Sequence, residues 1–254
     1  MSRWALGVEY VGTHFCGWQQ QAGLRSIEGA LVEALSLVAD HEISLTCGGR
    51  TDAGVHAHGQ VVHFDSEATR SARAWTLGAN ANLERYISVA WACPVPDHFH
   101  ARYSALRRHY RYQIFNRAVR SAHAAERSTW VREPLDAAAM HEAAQALIGE
   151  HDFSAFRAAE CQSKSPIRRL EQIRVAREGE AVLIDVTANA FLHHMVRNIA
   201  GLLISIGRGE RAGSDVARIL AMRDRRQSAP TAAPEGLYLR AIEYPQAFGL
   251  PIRL

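Results

Sequence analysis

Short apolar runs alternate with segments of helical periodicity along the first hundred residues of this chain. The helical segment that starts at Ile27 repeats large apolar side chains every three to four positions, and Ser26 is placed to cap its first turn. The predicted elements are a strand at 4–10, this helix, strands at 43–47 and 59–64, a helix at 72–81 and a strand at 87–91. This β-α-β-β-α-β order is that of a ferredoxin-like unit.

The second part of the chain repeats this architecture with additions. The segment Cys93-Pro94-Val95-Pro96 is typical of a connection, so we place a domain boundary there, with an N-terminal domain at 1–98 and a C-terminal domain at 99–254. The predicted elements beyond it are a strand at 100–115, a loop at 118–127, a helix at 137–148, strands at 172–175 and 182–186, helices at 195–206 and 216–220, and a strand at 237–242. The predicted fold class is therefore α+β, with two ferredoxin-like halves, and we expect their antiparallel sheets to flank a central cleft.

The charge of the chain is divided unequally between its two parts. The net charge is only +3, yet residues 1–100 carry 6 basic and 10 acidic side chains, whereas residues 101–254 carry 23 and 16. All but one of the basic residues are arginines, whose planar guanidinium suits phosphate. The sequence thus predicts that the basic surface lies on the second domain.

Several classes of protein are excluded by the pattern of apolar residues and cysteines. The longest apolar run, 199–206, is far shorter than the roughly 20 residues of a membrane span, and residues 1–15 have no secretory-signal pattern. The four cysteines are widely separated, which is typical of free thiols. We expect a soluble, cytoplasmic protein with no membrane partner.

The densest cluster of chemically useful residues is a glycine-rich loop at 48–58. Its glycines let a ligand approach the backbone closely, and Arg50 and Asp52 stand between them. Asp52 could act as nucleophile or base, with Arg50 binding phosphate or keeping the carboxylate ionised. The alternative is an Asx-turn, in which Asp52 bonds only its own backbone.

Three histidines beside this loop, His56, His58 and His63, offer a second hypothesis, that of a zinc-dependent hydrolase. On one strand, however, His58 and His63 face opposite sides, and no further ligand is evident nearby. We therefore predict no metal there.

Two segments of the second part could bind RNA. On a strand over 107–115, Tyr110 and Tyr112 share one face with Arg108, so that a base could stack there while arginine binds its phosphate; an ordinary half-buried strand is the alternative. In a helix that starts near Phe191, Arg197 and Gly201 follow His193 at intervals of four residues. Arg197 lies in the first turns, where backbone N–H groups favour an anion.

The loop resembles the catalytic loop of the TruA-type tRNA pseudouridine synthases. The resemblance rests on several motifs in family order, which together span nearly the whole chain. They are Tyr10-Val11-Gly12-Thr13-His14-Phe15-Cys16-Gly17-Trp18-Gln19, Arg50-Thr51-Asp52-Ala53-Gly54-Val55-His56-Ala57, Phe99-His100-Ala101-Arg102, Tyr110-Arg111-Tyr112, Ala188-Asn189-Ala190-Phe191-Leu192, Met195-Val196-Arg197-Asn198-Ile199 and Gly236-Leu237-Tyr238-Leu239.

The resemblance implies an enzyme that isomerises uridine to pseudouridine at positions 38, 39 and 40 of the tRNA anticodon arm. It also implies a homodimer that binds tRNA across both subunits without cofactor or metal. By the same resemblance Asp52 is the catalytic aspartate, Tyr110 stacks on the target base and Leu237 helps to line its pocket. Arg50 and Arg197 match the family's active-site arginines. A non-catalytic RNA-binding protein of ferredoxin-like halves is the alternative.

Three positions depart from the family pattern. Val11 replaces an aspartate in the opening motif, and Glu84 and Tyr86 replace proline and aspartate in a later segment. These departures concern local tRNA contacts and the end of the second helix, and they leave the catalytic loop intact.

Overall fold

A computed structural model describes residues 1–251, which divide into two compact units. The first unit contains residues 1–107 and the described residues from Leu239 onward, and the second contains residues 108–238. The chain therefore returns to the first unit at its end. The predicted domain boundary after residue 98 stays a prediction. Grouping residues by their contacts does not show which parts of the chain fold independently.

The first unit contains a mainly antiparallel sheet and two helices. Its elements are β1 (Ser2–Tyr10), α1 (Ile27–Ala39), β2 (Thr46–Cys47), β3 (His56–Ser66), α2 (Ala72–Asn82) and β4 (Ile87–Val95), followed by most of β10 (Leu237–Glu243). The strand order is β4-β1-β3-β10, and β2 also pairs with β3. β1 is thus antiparallel to a partner on each side.

The two helices cover this sheet through the side chains that the periodicity identifies. Leu31 and Leu35 of α1 are fully buried, and the hydroxyl of Ser26 accepts the Gly29 N–H at the first turn, as predicted. Trp75 of α2 is buried against Phe64 of β3, with ring centroids 4.9 Å apart. The core of the unit therefore lies between the helices and one face of the sheet.

Three predictions for residues 43–107 are wrong. The segment interpreted as a connection continues β4 through Val95, and β2 is reduced to two residues. Pro94 is tolerated because β4 ends the strand order and so has an edge without a ladder partner. The strand expected from residue 100 begins only at Arg107, since His100–Ser104 forms a tight turn.

The strands of the second unit follow the order β5-β9-β8-β7. Its elements are β5 (Arg107–Asn116), β6 (Thr129–Val131), α3 (Ala137–Ala144), β7 (Gly149–Asp152), β8 (Ile167–Glu178), β9 (Ala181–Ala188), α4 (Met195–Gly207) and α5 (Asp215–Met222), followed by the start of β10. The short strands β6 and β7 were not predicted. β8 and β9 form the predicted hairpin, whose turn contains Gly179 at φ +60°.

Alternation along β5 sets which side chains face the core of the second unit. Tyr110, Tyr112 and Ile114 are buried, whereas Arg111 lies on the other face and forms an ion pair with Asp185 of β9. The register pairs Arg111 directly with Asp185. The mixed α+β class is confirmed. Among residues 1–251, no helix combines the length and apolar character that a membrane crossing requires.

Candidate active site

The loop with Arg50 and Asp52 joins β2 to β3, which pair through Thr46 with His63 and Cys47 with Val62. Within the loop, the backbone carbonyl of Asp52 accepts the Val55 N–H at 3.1 Å. Gly54, inside this turn, has φ +79°, a conformation that favours glycine. Gly54 therefore allows the shape of the turn that presents Asp52.

A segment that follows β1 fixes this turn from outside. The Trp18 N–H donates to the Thr51 carbonyl at 2.9 Å, and the hydroxyls of Thr51 and Tyr10 are hydrogen bonded at 2.7 Å. Gly12 lies so close to the loop that a Cβ there would overlap the carbonyl oxygen of Val55. The sequence reasoning found the motif at 10–19 by resemblance only, and the structure gives it a physical role as the support of the loop.

The two charged side chains of the loop differ in exposure from the residues that hold it. Thr51 and Val55 are buried, Asp52 is half-buried and Arg50 is exposed. A carboxylate and a guanidinium are thus presented to solvent on a backbone that is fixed by buried neighbours. This arrangement suits both an anionic substrate and acid–base or nucleophilic chemistry.

The three histidines proposed as zinc ligands have separate surroundings. Nδ1 of His56 accepts the Gly12 N–H, and Nδ1 of His63 accepts the Ala101 N–H, both at 3.1 Å. His58 is exposed, and its Nδ1 lies 2.7 Å from the guanidinium of Arg240. Within the described part of the chain, no group of metal-ligand side chains contains these three histidines together.

Tyr110 lies in the second unit, near the start of β5. Its side chain is buried, with 9% of the residue exposed, and its ring meets that of Phe191 edge to face at a centroid distance of 4.9 Å. Phe191 belongs to a motif that the resemblance identified without assigning it a role. The edge-to-face contact holds the tyrosine ring in one orientation.

Arg197 is the third residue of α4, in its first turn as predicted. Its Nε donates to the Ala232 carbonyl at 2.8 Å, and the Ala232 N–H donates to the carbonyl of Arg197 at 3.1 Å. One turn further along, a Cβ on Gly201 would overlap the carbonyl oxygen of Pro230. The helix and the segment 230–232 are therefore in close contact, as the glycine predicted. His193 precedes the helix, so it does not share the face with Arg197 and Gly201 that was expected.

Leu237 opens β10 directly after a short 3-10 helix, Pro234–Gly236, and is buried. A Cβ on Gly236 would lie 2.7 Å from the carbonyl oxygen of Gln113. Nearby, the hydroxyl of the buried Tyr112 donates to the Ala233 carbonyl at 2.8 Å, and burial raises its pKa above the ordinary value. The start of β10 is thus fixed against β5 within the second unit.

The predicted site residues are distributed over the two units as follows. Arg50 and Asp52 lie on one loop of the first unit, and Tyr110, Arg197 and Leu237 lie on β5, α4 and β10 of the second. The sequence reasoning missed the partners that hold these side chains in place, because each partner is distant along the chain.

Comparison with known proteins gives one family. The family described as "tRNA pseudouridine synthase" matches residues 7–104 and 143–245. A tRNA pseudouridine synthase A of Pseudomonas aeruginosa is 53% identical over 254 residues, which cover 100% of this chain and 89% of that protein. The protein of that name from Methylococcus capsulatus is 53% identical over 98% of this chain and 92% of its own length.

Among the solved structures that align with this chain is one with a TM-score of 0.36 and 13% identity. Described as a crystal structure of a Cbf5-Nop10-Gar1 complex, it covers 91% of this chain and 47% of the matched chain, a likeness too low to carry an argument. The family match and the relatives are decisive: this chain belongs to the tRNA pseudouridine synthase family. It is accordingly an isomerase that acts on tRNA.

Proposed function

We propose that this enzyme isomerises uridine to pseudouridine at positions 38, 39 and 40 of the tRNA anticodon arm, with Asp52 as the indispensable group. The observation that carries the proposal is the loop itself. It presents a half-buried carboxylate beside an exposed guanidinium, on a turn held by Tyr10, Trp18 and the glycines around it. Its sequence at 50–57 resembles the family's catalytic loop.

The chemistry needs what this loop offers. Isomerisation breaks the bond between N1 of uracil and C1′ of the ribose, turns the base and joins C5 to C1′. The proton at C5 leaves, and N1 takes up a proton, so that no electrons are gained or lost overall. The reaction therefore requires no redox cofactor. The broken bond is glycosidic, so a carboxylate beside C1′ can stabilise or trap the cationic sugar, as in retaining glycoside hydrolysis.

Three routes remain open for Asp52 in this proposal. The carboxylate attacks C1′, attacks the base, or removes a proton from the sugar. All three need the carboxylate of Asp52 close to the target nucleotide.

The second-unit residues take the roles that the resemblance gives them. The target uridine must leave the helical stack, which costs a few kcal/mol, and stacking on Tyr110 offsets part of that cost. Arg197 supplies positive charge, and Leu237 offers the base an apolar contact. The contact of Tyr110 with Phe191 supports this role, because a ring held in one orientation loses little entropy when a base stacks on it.

The proposal extends to the assembly and the architecture. We infer a cytoplasmic homodimer that binds one tRNA across both subunits, and two ferredoxin-like halves flanking a central cleft, with domains at 1–98 and 99–254. The β-α-β-β-α-β order of the first unit supports the first of these halves. Light scattering that reports a monomer at working concentrations would contradict the dimer.

Asp52→Asn tests the catalytic assignment. We expect tritium release from tRNA labelled at uracil C5 to fall about a thousandfold or more, with tRNA binding retained, because the amide cannot act as nucleophile or base. Asp40→Asn is the matched control, since Asp40 is exposed at the end of α1 with φ +59°, a conformation that asparagine also adopts. Full activity of Asp52→Asn would refute the proposal.

A further inference from the structure

The motif Phe99-His100-Ala101-Arg102 leads into an exposed aromatic surface to which neither the family match nor the proposed mechanism gives a role. Tyr103, the next residue, is 77% exposed, an unusual state for a large aromatic side chain. Its ring lies on that of His100, with centroids 4.3 Å apart and planes at 28°. The guanidinium of Arg102 lies 5.7 Å from the ring centroid of Tyr103. We name these three residues the Tyr103 platform.

Hydrogen bonds within its own turn hold the platform in place. Nδ1 of His100 accepts the N–H groups of both Arg102 and Tyr103, at 3.2 and 3.1 Å. The Ser104 hydroxyl accepts the His100 N–H at 3.0 Å, and the Ser104 N–H donates to the His100 carbonyl at 2.9 Å. The imidazole is thus tied to the backbone that carries Tyr103. The exposed ring is therefore already oriented before any ligand arrives.

The turn is also anchored to the first unit through Ala101. Its N–H donates to Nδ1 of His63 and its carbonyl accepts the hydroxyl of Tyr244. The same carbonyl lies 3.1 Å from the position that a Cβ on Gly48 would occupy. Gly48 is the first residue of the loop that carries Arg50 and Asp52, so the platform adjoins the base of that loop.

Arg50 in the loop and Arg102 in the Tyr103 platform both act on the buried thiol of Cys47. Burial, and then the negative charge of Glu28, raise the pKa of the Cys47 thiol to about 12, and the positive charges of Arg50 and Arg102 oppose this rise. Arg50 and Arg102 therefore both lie within electrostatic range of the start of the loop. A polyanion that approaches Arg50 also meets the field of Arg102.

We propose that the Tyr103 platform is a substrate-binding site, at which an unpaired base of the tRNA stacks on Tyr103 and an adjacent phosphate binds Arg102. An exposed aromatic ring beside an arginine is the usual means of holding single-stranded RNA without reading its sequence. The inference rests on the proposed tRNA substrate, and it adds a contact outside the target-base pocket. Tyr103 positions the substrate and touches no reacting atom.

The test measures tRNA binding by Asp52→Asn protein, so that affinity is read without turnover. Adding Tyr103→Ala should weaken the Kd about 5- to 100-fold, the range expected for one lost base stack, and Tyr103→Phe should restore most of it. In otherwise wild-type protein, Tyr103→Ala should raise KM by a similar factor and change kcat less than about twofold. Leu77→Ala, on the exposed surface of α2, is the matched control and should leave the Kd unchanged.

Two further measurements separate base stacking from phosphate binding. Arg102→Gln should reduce the slope of log Kd against log salt by about 1, the contribution of one phosphate contact. Tyr103→Ala should leave that slope unchanged. Arg73→Gln, an exposed arginine on α2, is the charge-matched control. An RNA duplex without unpaired bases should bind wild type and Tyr103→Ala equally.

The outcomes distinguish this inference from the proposed function. A Kd for Tyr103→Ala within twofold of the parent, or a Tyr103→Phe variant as weak as Tyr103→Ala, would overturn the platform. So would a loss of affinity that light scattering traces to dissociation of subunits, because Tyr103 would then be a protein contact. Failure of the proposed function is seen instead as absence of tritium release by wild-type protein.

Discussion

The loop of the first unit and the candidate residues of the second unit are held in place in different ways. In the loop, Trp18 bonds the backbone carbonyl of Thr51 and Tyr10 bonds its hydroxyl. Asp52 is half-buried and Arg50 is exposed. In the second unit, by contrast, the candidate side chains are themselves packed or bonded: Tyr110 on Phe191, and Arg197 on the Ala232 carbonyl.

In the first unit, the candidate catalytic side chains are not the residues that stabilise the loop. In the second unit, the side chains that we propose contact the substrate also stabilise the fold. Replacement of Asp52 removes a reactive group and leaves its support in place. Replacement of Tyr110 removes a substrate contact together with part of the core. Mutational loss of activity therefore means something different in the two units, and stability has to be measured beside it.

The largest expected effect tests this contrast directly. Tyr110→Ala should lower the free energy of unfolding by about 3 kcal/mol or more, because it deletes a buried aromatic ring and leaves a cavity against Phe191. Asp52→Asn should change it by less than about 0.5 kcal/mol. Urea unfolding of both variants measures the difference, and equal stabilities would remove the distinction between the two units.

The same contrast decides what could be predicted from the sequence. The helix behind Ser26, the hairpin around Gly179 and the first turn of α4 were predictable because their signals are local: a cap, a turn glycine and a periodicity. The loop of Asp52 was recognisable for a similar reason, since glycines and charged residues are concentrated in ten positions.

What the sequence could not predict depends on long-range pairing. β4 continues through Pro94 because β1 pairs with it along its whole length, and the two-residue β2 depends on β3 for its existence. Likewise, the contacts of Tyr110 with Phe191 and of Arg197 with Ala232 join segments with no shared pattern. A glycine such as Gly201 indicates that another part of the backbone packs closely against the helix, but it does not identify which segment does so.

The second-largest expected effect is a dependence of stability on pH, which should be confined to the first unit. Burial, and then the charges of His100 and Arg3, lower the pKa of His63 from 6.5 to about 4, and its neutral Nδ1 accepts the Ala101 N–H. The unfolded chain therefore takes up this proton at a higher pH than the folded chain. Stability from His63 is fully present above about pH 6.5 and is lost as the pH falls towards 4, by about 3 kcal/mol at most.

His63→Asn provides the control for this effect, because its amide oxygen can accept the same N–H without titrating. The stability of wild type and variant should converge as the pH falls from 6.5 to 4. Hydrogen exchange should show the loss first near Ala101 and β3 and later in α4. Earlier loss of protection in α4 would contradict the assignment to the first unit.

The smallest expected effect compares one buried hydroxyl in each unit. Tyr10→Phe removes the hydrogen bond to Thr51 and should cost about 1 kcal/mol of stability; because Thr51 precedes Asp52, it should also lower kcat several-fold. Tyr112→Phe removes the bonds to Thr129 and Ala233, and should cost about 1 to 2 kcal/mol.

The two phenylalanine variants differ in what their lost bonds support. Tyr10 bonds the side-chain hydroxyl of Thr51, the residue before Asp52. Tyr10→Phe should therefore lower kcat by more than its stability change explains, at a temperature where both variants are fully folded. Tyr112 holds the segment before Leu237, so its loss should raise KM for tRNA more than it lowers kcat. If Tyr10→Phe retained the wild-type kcat, the hydrogen bond to Thr51 would not be needed to position Asp52. The difference between the two units would then depend only on the packing of Tyr110 and the hydrogen bonds of Arg197.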